Sequence, residues 1–402
     1  MALTPVDVAL AAVLEGIVAT ESEIVPITAA RGRVLAADLH ARRTQPPFAA
    51  AAMDGWAIRA ADATEPGARL RVVGEAAAGN AFAGTVEAGT CVRIFTGAPL
   101  PAGADTVVMQ EYTSRDGDTV TFDEVAERGR HIRAAGVDFR EGDVGPIAGT
   151  RLDFTNLGLV AAMNHAEMPV HRRPRIAVLA TGDELVPPGA TPGLDQIIAS
   201  NGYAITALIE AVGGEAIDLG IVRDDLDATI AAIRAAFDLG VEVLVTIGGA
   251  SVGDRDHVHA ALAAAGVEFG FWKLAMRPGK PLMFGRRGAA RVVGLPGNPS
   301  SALVCSLLFL APLVRALSGV PDPRPRQEIV ALGRAVAAND ARQDYMRAHL
   351  VVDADGRLAA VPADTQDSSL LTRFAATDGL LVRPPHAPPA EAGEPCRFIR
   401  FP

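Results

Sequence analysis

Residues 175–317 alternate short apolar runs with amphipathic segments, and this alternation constrains the fold more than any other feature of the chain. The apolar runs are rich in Val, Ile and Ala, and the segments between them carry apolar residues at helical spacing. Strands are expected at 176–180, 216–222, 241–247, 269–274 and 292–295, and helices at 201–212, 226–237, 257–265 and 299–317. Runs without a polar face are typical of strands buried on both sides. The pattern therefore predicts a three-layer α/β domain with a parallel or mixed sheet between helices.

The segments that follow the predicted strands are polar and rich in Gly or Pro. They cover residues 181–184, 223–225, 248–256, 276–281 and 296–301. Ligands of such folds bind beyond the carboxyl ends of the strands, because the loops that follow parallel strands meet at one edge of the sheet. The sequence therefore predicts one functional site built from these five loops.

Carboxylates and cations share these loops. The carboxylates are Asp183, Glu184, Asp224, Asp225, Asp254 and Asp256, and the cations are Lys273, Arg277 and Lys280. The two lysines are the only ones in the chain. Oxygen ligands with no Cys and little His favour a hard cation such as Mg²⁺. A hard cation beside Lys and a Gly-rich backbone favours a phosphate ester or anhydride as ligand. Residues 298–301 add a predicted helix cap and free backbone amides, which suit an anion.

Other well-known site types do not match the spacing. The residues around Lys280 lack the hydroxyl and the spacing of a P-loop, and residues 248–253 lack the dinucleotide fingerprint. His257 and His259 form an H-x-H pair, but no third ligand type accompanies them, so a metal site there is disfavoured. No Ser-His-Asp or Cys-His arrangement follows from the spacing either.

Composition limits the partners and the compartment. The net charge of −10 argues against a nucleic-acid surface, which needs a basic stripe. Cys91, Cys305 and Cys396 are too few and too far apart for a disulfide framework, which favours a reducing cytoplasm. The apolar run at 304–314 contains Pro312 and is too short to cross a bilayer, and residues 4–19 form an amphipathic helix with Thr4 as a possible cap, so no membrane association is expected.

The region from residue 45 to about 133 differs from the rest, with short β-like runs at 70–73, 91–95, 106–109 and 119–122. Gly and Pro punctuate these runs, which predicts a small, mostly antiparallel β domain. Asp54 precedes a Gly and Thr96 opens a Gly/Pro-rich loop. Taken alone, either is more often an ordinary turn. Asp138 repeats the pattern of a carboxylate in a tight turn. A helix is predicted at 156–163, and a domain boundary is predicted near residue 174.

Six motifs in this order resemble the molybdopterin molybdenumtransferases, the MoeA and gephyrin E-domain family. They are Met53-Asp-Gly-Trp-Ala57, the segment from Arg93 to Asp105, Thr181-Gly-Asp-Glu-Leu185, the segment from Gly248 to Asp256, the segment from Lys273 to Pro281, and Leu295-Pro-Gly-Asn-Pro-Ser300. The resemblance runs from the first helix to the C-terminus.

The resemblance implies four domains in an elongated homodimer. Domain I would combine residues 1–40 and 133–173 and dimerise, and an inserted β domain would cover 41–132. A MogA-like α/β domain that binds molybdopterin would cover 174–319, and a C-terminal β-barrel 320–402. In the family the active cleft lies between the α/β domain of one subunit and the β domain of the other.

The resemblance also implies an activity, namely the insertion of molybdate into adenylylated molybdopterin with Mg²⁺-dependent release of AMP. The catalytic residues that the resemblance implies are Asp54, Thr96, Asp138, Glu184, Asp224 and Asp256, with Asp224 and Asp256 as metal ligands. The substrate-binding residues that it implies are Gly248, Gly249, Ser251, Lys273, Arg277, Lys280, Pro296, Asn298 and Pro299. Adenylylated molybdopterin and molybdate would be the substrates, and other cofactor-biosynthesis proteins and apo-molybdoenzymes are further candidate partners.

The chain departs from the family pattern at three alanines. Ala50 and Ala51 stand where members often carry a polar pair, and Ala199 stands where an Asp often precedes Ser200-Asn201. The loss of that carboxylate bears on metal affinity more than on the class of reaction. Two alternative functions stay open at this point. One is a molybdopterin adenylyltransferase, which shares the α/β fold, and the other is a non-catalytic scaffold like the receptor-clustering domain of gephyrin.

Overall fold

The structure is a computed structural model and describes residues 3–249, 257–353 and 355–402. Within these residues it contains three six-stranded sheets and three pairs of short strands. One six-stranded sheet belongs to residues 55–122, one to residues 175–295, and one to the C-terminal part of the chain with a contribution from residues 276–277. The multidomain α/β and β architecture expected from the sequence is confirmed.

The first helix, α1, covers Val6–Leu14 and buries Val6, Ala9 and Val13 in the core of the α/β sheet. It is shorter than the expected 4–19, and Thr4 does not cap it. Instead the Thr4 amide donates to the Lys273 carbonyl over 2.9 Å, and the Ala275 amide donates to the Thr4 carbonyl over 2.8 Å. These bonds attach the N-terminus to the edge of the α/β sheet.

The strands that follow are β1 Ser22–Pro26, β2 Ala50–Ala51, β3 Gly55–Ile58, β4 Ala68–Ala76, β5 Thr90–Ile94, β6 Thr106–Met109, β7 Thr113–Asp116, β8 Thr119–Phe122 and β9 Ile132–Arg133. Strands β2 to β9 belong to the predicted β domain, whose main sheet has the order β6-β3-β5-β4-β8-β7 and is antiparallel except between β4 and β5. Adjacent residues of a strand pack into different hydrophobic cores. Cys91 and Val108 belong to the core on one face of the sheet, and Val92 and Val107 belong to the core on the other. The sheet is thus buried on both faces, which follows from the two-residue period of a strand.

The chain then returns to its beginning. Helix α2, Phe154–Ala162, starts at Asp153, whose carboxylate accepts from the amides of Thr155 and Asn156. Strand β10, Glu167–His171, pairs antiparallel with β1. Residues 22–26 and 167–171 therefore lie side by side, and the β domain is an insertion between them.

The following residues build the predicted three-layer α/β domain. Its elements are β11 Arg175–Thr181, β12 Leu185–Val186, β13 Ile197–Ile198, α3 Asn201–Ala211, β14 Glu215–Val222, α4 Leu226–Asp238, β15 Val243–Ile247, α5 His257–Ala264, β16 Glu268–Lys273, β17 Met276–Arg277, β18 Pro281–Arg287, β19 Ala290–Leu295, α6 Pro299–Cys305 and α7 Ala311–Leu317. The main sheet has the order β14-β11-β15-β19-β18-β16.

This sheet is mixed, as expected. Its strands β14, β11, β15 and β19 are parallel, whereas β18 is antiparallel to both of its neighbours. Alternate residues of β11 enter two cores, Ile176 and Val178 on one face and Ala177 and Leu179 on the other. Helices therefore cover both faces. Strand β18 was not predicted, because Pro281 and the Gly285-Arg286-Arg287 end interrupt its apolar run.

The predicted helix at 299–317 is continuous but contains a π-helical turn at Ser306–Leu310, between α6 and α7. Pro312 explains the turn, since it has no N–H to donate and its ring clashes with the carbonyl four residues earlier. The segment is apolar and long enough to cross a membrane, but 83% of its most apolar window is buried inside the protein. Burial of that kind is typical of a core helix.

The C-terminal part forms a closed barrel, as predicted. Its elements are β20 Glu328–Leu332, β21 Gln343–Val352, β22 Leu358–Pro362, α8 Leu371–Ala375, β23 Gly379–Arg383 and β24 Pro395–Arg400. The strand order β21-β22-β20-β24-β23 closes through a pairing of β23 with β21. Strand β17 of the α/β domain adds to the edge of β21 and joins the two domains.

A buried arginine also holds the barrel against helix α6. Arg347 of β21 has no exposed surface. Its guanidinium donates to the Ser300 hydroxyl and to the Asp367 carbonyl, both over 2.8 Å, and to the Gln366 side chain over 3.2 Å. Burial lowers the pKa of Arg347. The bonds compensate for that burial and link the loop at 364–370 to the start of α6.

We expect an Arg347→Met variant to lose about 2–4 kcal/mol of unfolding free energy, because several buried acceptors lose their donor. Urea denaturation followed by circular dichroism measures this loss. Arg357 is the matched control, since its side chain is exposed and its replacement by Met leaves the midpoint close to that of the parent. Equal midpoints for the two variants would show that Arg347 does not hold the domains together.

Candidate active site

A cleft of about 790 Å³ opens at the edge of the α/β sheet where the parallel strands end. Of the described residues, those that line it come from 180–185, 197–202, 224, 247–249, 281, 296–301 and 369. The residues after β11, β14, β15 and β19 all contribute, and so does Pro281 at the start of the antiparallel β18. The predicted convergence of the loops on one edge is therefore seen in the fold.

Glycine is required where two of these loops meet. Gly248 follows β15 with a φ of +89°, and a Cβ there would lie 2.9 Å from the Thr181 carbonyl oxygen. Residues other than Gly rarely adopt this backbone conformation. The loops after β11 and β15 thus approach closely enough to form one wall.

Seven of the residues singled out from the sequence line the cleft. They are Glu184, Asp224, Gly248, Gly249, Pro296, Asn298 and Pro299. Ser251 and Asp256 lie outside the described residues. The remaining six, Asp54, Thr96, Asp138, Lys273, Arg277 and Lys280, lie elsewhere and are described below.

Two acidic loops meet at the mouth of the cleft. The Asp183 carboxylate accepts from the Asp224 amide over 3.3 Å, which ties the loop after β11 to the loop after β14. The Glu184 carboxylate lies over Gly182, where a Cβ would overlap it. Asp225, by contrast, caps helix α4 by accepting from the Ala228 amide over 2.7 Å. Adjacent carboxylates therefore have different uses, Asp224 in the cleft and Asp225 at a helix start.

The carboxylates at the cleft fit Mg²⁺ by the chemistry of their donors. Within residues 3–249, 257–353 and 355–402 no three His, Cys, Asp or Glu side chains converge as a complete metal cage. Mg²⁺ does not need such a cage, because it keeps several waters and commonly binds one or two carboxylates together with substrate phosphates. Glu184 and Asp224, both exposed to the cleft, are carboxylates of this kind.

The opposite wall belongs to the start of α6 and to the barrel. The Asn298 side chain donates to the Ser368 hydroxyl over 3.2 Å, and the Ser300 amide donates to the Ser368 carbonyl over 3.0 Å. One of the amides expected to be free for an anion is therefore used inside the protein. Ser369, next in the chain, lines the cleft.

Asn201 and Ser369 are among the lining residues that were missed from the sequence as site residues. Asn201 donates to the Gly297 carbonyl over 2.7 Å and so joins the start of α3 to the loop after β19. A polar residue at a predicted helix start was a signal for Asn201. Nothing in the sequence points to Ser369, because it is remote in the chain and reaches the cleft through packing of the barrel.

The three cations predicted to bind anions differ in their surroundings. Arg277 donates to both carboxylate oxygens of Asp344, over 3.1 and 2.5 Å, and lies 3.7 Å from Asp340. Hydrogen bonding to Asp344 raises the pKa of the Arg277 guanidinium. Lys273 lies opposite Pro281 in the β16–β18 ladder, and Lys280 is exposed. Neither lysine forms an ion pair with any described residue. Lys273 is the ladder partner of Pro281 and Lys280 precedes it in the chain, so both lie next to a residue that lines the cleft.

Asp54 and Thr96 meet in the β domain although 41 residues separate them in the sequence. The Asp54 carboxylate accepts from the Thr96 amide and from the Thr96 hydroxyl, each over 2.8 Å. These two bonds lower the pKa of Asp54, since both stabilise the ionised form. Each motif alone suggested an ordinary turn, but in the structure the two turns meet and their side chains form one carboxylate–hydroxyl pair.

Two other sequence candidates stand apart. Asp138 is exposed, and its amide donates to the Gln45 carbonyl over 3.2 Å. His259 is stacked between Phe269 and Trp272, with ring centroids 4.2 and 4.3 Å away. The His259 ring therefore packs helix α5 against strand β16.

Three family models match the chain in sequence order. They describe the MoeA N-terminal region, domains I and II, over residues 4–164, a probable molybdopterin-binding domain over 177–316, and the MoeA C-terminal region, domain IV, over 330–401. Together they cover most of the chain and leave the two segments around 165–176 and 317–329 between them.

Known proteins agree with these models. The chain is 34% identical to a molybdopterin molybdenumtransferase of Haemophilus influenzae over 93% of both chains. It is 32% identical to that of Bacillus subtilis over 94% of this chain and 90% of the relative. A crystal structure of the molybdopterin biosynthesis MoeA protein of Pyrococcus horikoshii covers the whole chain with 31% identity and a TM-score of 0.81.

We expect a Thr96→Val variant to raise the pKa of Asp54 toward the ordinary value of a carboxyl, because the hydroxyl bond is lost while the amide bond remains. A pH titration of the Asp54 side-chain carbon by NMR measures the change. Thr96→Ser keeps the hydroxyl and serves as the control, with the pKa still lowered. In the parent, the lowered pKa means that this pair stabilises the fold above the pKa of an unfolded Asp and that the effect is lost as the pH falls through the Asp54 pKa. An unchanged titration in Thr96→Val would contradict the role of the hydroxyl.

Proposed function

The chain belongs to the MoeA family of molybdopterin molybdenumtransferases, and we propose that its cleft binds adenylylated molybdopterin and exchanges the adenylyl group for molybdenum with release of AMP. The transferase activity itself, molybdenum insertion into molybdopterin in cofactor biosynthesis, goes with the family. The observation that carries the proposal is the cleft at the ends of the parallel strands, which lies in the segment matched by the molybdopterin-binding model.

The charge of the cleft supports a divalent cation as cofactor. A pterin diphosphate linkage is anionic, and the described rim presents the carboxylates of Glu184 and Asp224. Like charges in one cleft repel each other unless a cation lies between them. Mg²⁺ held by Asp224 and Asp256, with Glu184 orienting its waters, would polarise the phosphoanhydride for cleavage. Asp256 enters here from the family motif.

The remaining residues bind and orient the substrate in this proposal. Lys273 and Lys280 neutralise phosphate or molybdate oxygens at the rim as compact point charges. Gly248, Gly249 and Ser251 approach the phosphates through backbone and hydroxyl donors, and Pro296, Asn298 and Pro299 form the facing wall. Arg277 contributes through the loop that it fixes to the barrel, since its guanidinium is already bonded to Asp344.

The Asp54–Thr96 pair supports a second half of the site on a partner subunit. Of the described residues, those lining the cleft include none from 41–132. The Asp54 carboxylate is partly exposed and is kept ionised by its hydrogen bonds, so it can contact a cation or a polar group of a ligand brought to it. A homodimer that sets the β domain of one subunit against the cleft of the other would unite both halves, with Asp138 near the junction.

Two alternatives are less well supported. An adenylyltransferase needs the α/β domain alone, whereas this chain also matches the MoeA N- and C-terminal regions. A non-catalytic scaffold gives no reason for carboxylates in the cleft beside two lysines that have no ion-pair partner among the described residues. We place the protein in the cytoplasm, with apo-molybdoenzymes and other cofactor-biosynthesis proteins as candidate recipients or donors of the product.

Purified protein incubated with adenylylated molybdopterin, Mg²⁺ and molybdate should release AMP and form molybdenum cofactor, which reconstitution of an apo-molybdoenzyme detects. Net addition of AMP to molybdopterin from ATP would instead favour the adenylyltransferase. Tungstate in place of molybdate, in the same assay, gives the metal preference.

We expect Asp224→Asn to lower AMP release by about a hundredfold or more, as loss of a charged group at a developing charge commonly does. Asp225→Asn is the matched control one residue away, because Asn caps a helix as well as Asp does. Rates and Mg²⁺ dependence measured for both variants separate the two carboxylates. Equal rates would remove Asp224 from the site.

A shared cleft predicts complementation between inactive variants. Asp54→Ala and Asp224→Asn, each inactive alone, should regain activity when they are co-expressed and mixed dimers are purified through two tags, because one of the two clefts is then intact. Absence of any regain in dimers that contain both variants would mean that the two residues act within the same subunit, which contradicts the shared cleft.

A further inference from the structure

Arg93 lies beside the Asp54–Thr96 pair and donates its hydrogen bonds to residues next to the Asp54 turn. It is half-buried in β5, three residues before Thr96. Its guanidinium donates to the Gly55 carbonyl over 2.9 Å and to the Gln110 side-chain oxygen over 2.5 Å. Its hydrogen bonds therefore reach the residue that follows Asp54 and the residue that follows β6.

Two aromatic rings hold the same guanidinium. Its central carbon lies 4.7 Å from the centroid of Phe95 and 5.4 Å from the centroid of Trp56. Both distances are within the range of a cation–π interaction. Trp56 is itself fixed, because its indole N–H donates to the Thr113 hydroxyl over 3.1 Å and that hydroxyl donates to the Gln110 carbonyl over 2.9 Å.

The residues bonded to Arg93 also contact the backbone at Asp54 and Gly55. The Gln110 amide donates to the Asp54 carbonyl over 3.2 Å, while the Gln110 side chain accepts from Arg93. Gly55 is packed so closely against β6 that a Cβ would overlap the Val108 carbonyl. The Asp54 turn is thus held from β5 and from β6 with the residue after it, and Arg93 of β5 bonds to both Gly55 and Gln110.

We propose that Arg93 is a positioning residue that fixes the Asp54 turn relative to Thr96, and so holds the Asp54 carboxylate in the orientation that its reaction requires. The inference rests on the proposed role of Asp54 in the transferase reaction. A side chain so placed acts mainly through geometry, because its donors go to the Gly55 carbonyl and to Gln110 and not to the carboxylate. Its charge is the smallest of the influences on the Asp54 pKa, after the two hydrogen bonds from Thr96 and burial. Lys at this position would keep the charge, but a single ammonium does not reproduce the planar fork that spans both acceptors.

The test compares four variants with the parent. Arg93→Met and Arg93→Lys remove the fork, Gln110→Leu removes one of its acceptors, and Gln110→Glu restores an acceptor. Arg115→Met is the matched control, because Arg115 lies over the same Trp56 ring at 5.7 Å but donates to the Gly117 carbonyl, away from Asp54.

Two readouts are measured on the full-length protein. In the AMP-release assay, Arg93→Met should lower kcat by about tenfold to a hundredfold with KM for the adenylylated ligand unchanged, since an ångström-scale misplacement has an effect of that size. In amide hydrogen exchange, the Thr96 amide should exchange faster relative to amides in the α/β sheet. Arg93→Lys and Gln110→Leu should follow Arg93→Met in direction, whereas Gln110→Glu should retain most of kcat and the slow Thr96 exchange.

Several results overturn the inference. An unchanged kcat in Arg93→Met does so, and so does an unchanged Thr96 amide, or an effect of Arg115→Met as large as that of Arg93→Met. If Arg93→Met does not fold, a comparison of kcat and of Thr96 amide exchange between Gln110→Leu and Gln110→Glu tests the same inference. The exchange measurement needs no activity, so a parent protein that releases no AMP contradicts the proposed function while the positioning of Asp54 is still tested.

Discussion

The parallel alignment of β14, β11, β15 and β19 is the constraint on which the cleft depends. Each of these strands ends at the same edge of the sheet, and the residues immediately after each end line one cavity. The reversed strand β18 begins at that edge, so Pro281 joins the same wall. Buried, apolar strands cannot move relative to one another without exposing two cores, so the loops are held at a fixed separation even though the loops themselves are polar and rich in Gly.

The neighbouring domains complete what the sheet begins. The C-terminal barrel is attached through β17 and through the buried guanidinium of Arg347, and it brings Ser368 and Ser369 to the wall formed by Asn298. The ion pair between Arg277 and Asp344 belongs to the same attachment. A residue that the sequence suggests as an anion ligand is thus part of the joint between two domains. The two lysines lie next to Pro281, which lines the cleft, and have no described ion-pair partner.

The β domain carries a separate carboxylate, Asp54, whose ionisation and position depend on other contacts. Asp54 is kept ionised by hydrogen bonds from Thr96, and its backbone is held through Gly55 and Gln110 by Arg93. The acidic residues of the cleft and the Asp54–Thr96 pair therefore depend on different parts of the structure. The first are brought together by loops that follow parallel strands, and the second is held by hydrogen bonds from Thr96 and Arg93. Such a division suits the proposed reaction, in which each of two subunits would supply one half of the site.

The sequence by itself determined the local structure and the kind of chemistry. Period-two and period-3.6 patterns located most strands and helices of residues 175–317 within a few residues, and six ordered motifs pointed to the family, because these signals depend only on neighbours in the chain. The tertiary structure decided which of the polar residues meet. Asp54 and Thr96 become bonded only through the pairing of β3 with β5, Ser369 reaches the cleft only because the barrel docks on α6, and Arg277 turns away from it because Asp344 comes close. Contacts between residues far apart in the chain depend on how whole domains pack, and no local pattern encodes that packing.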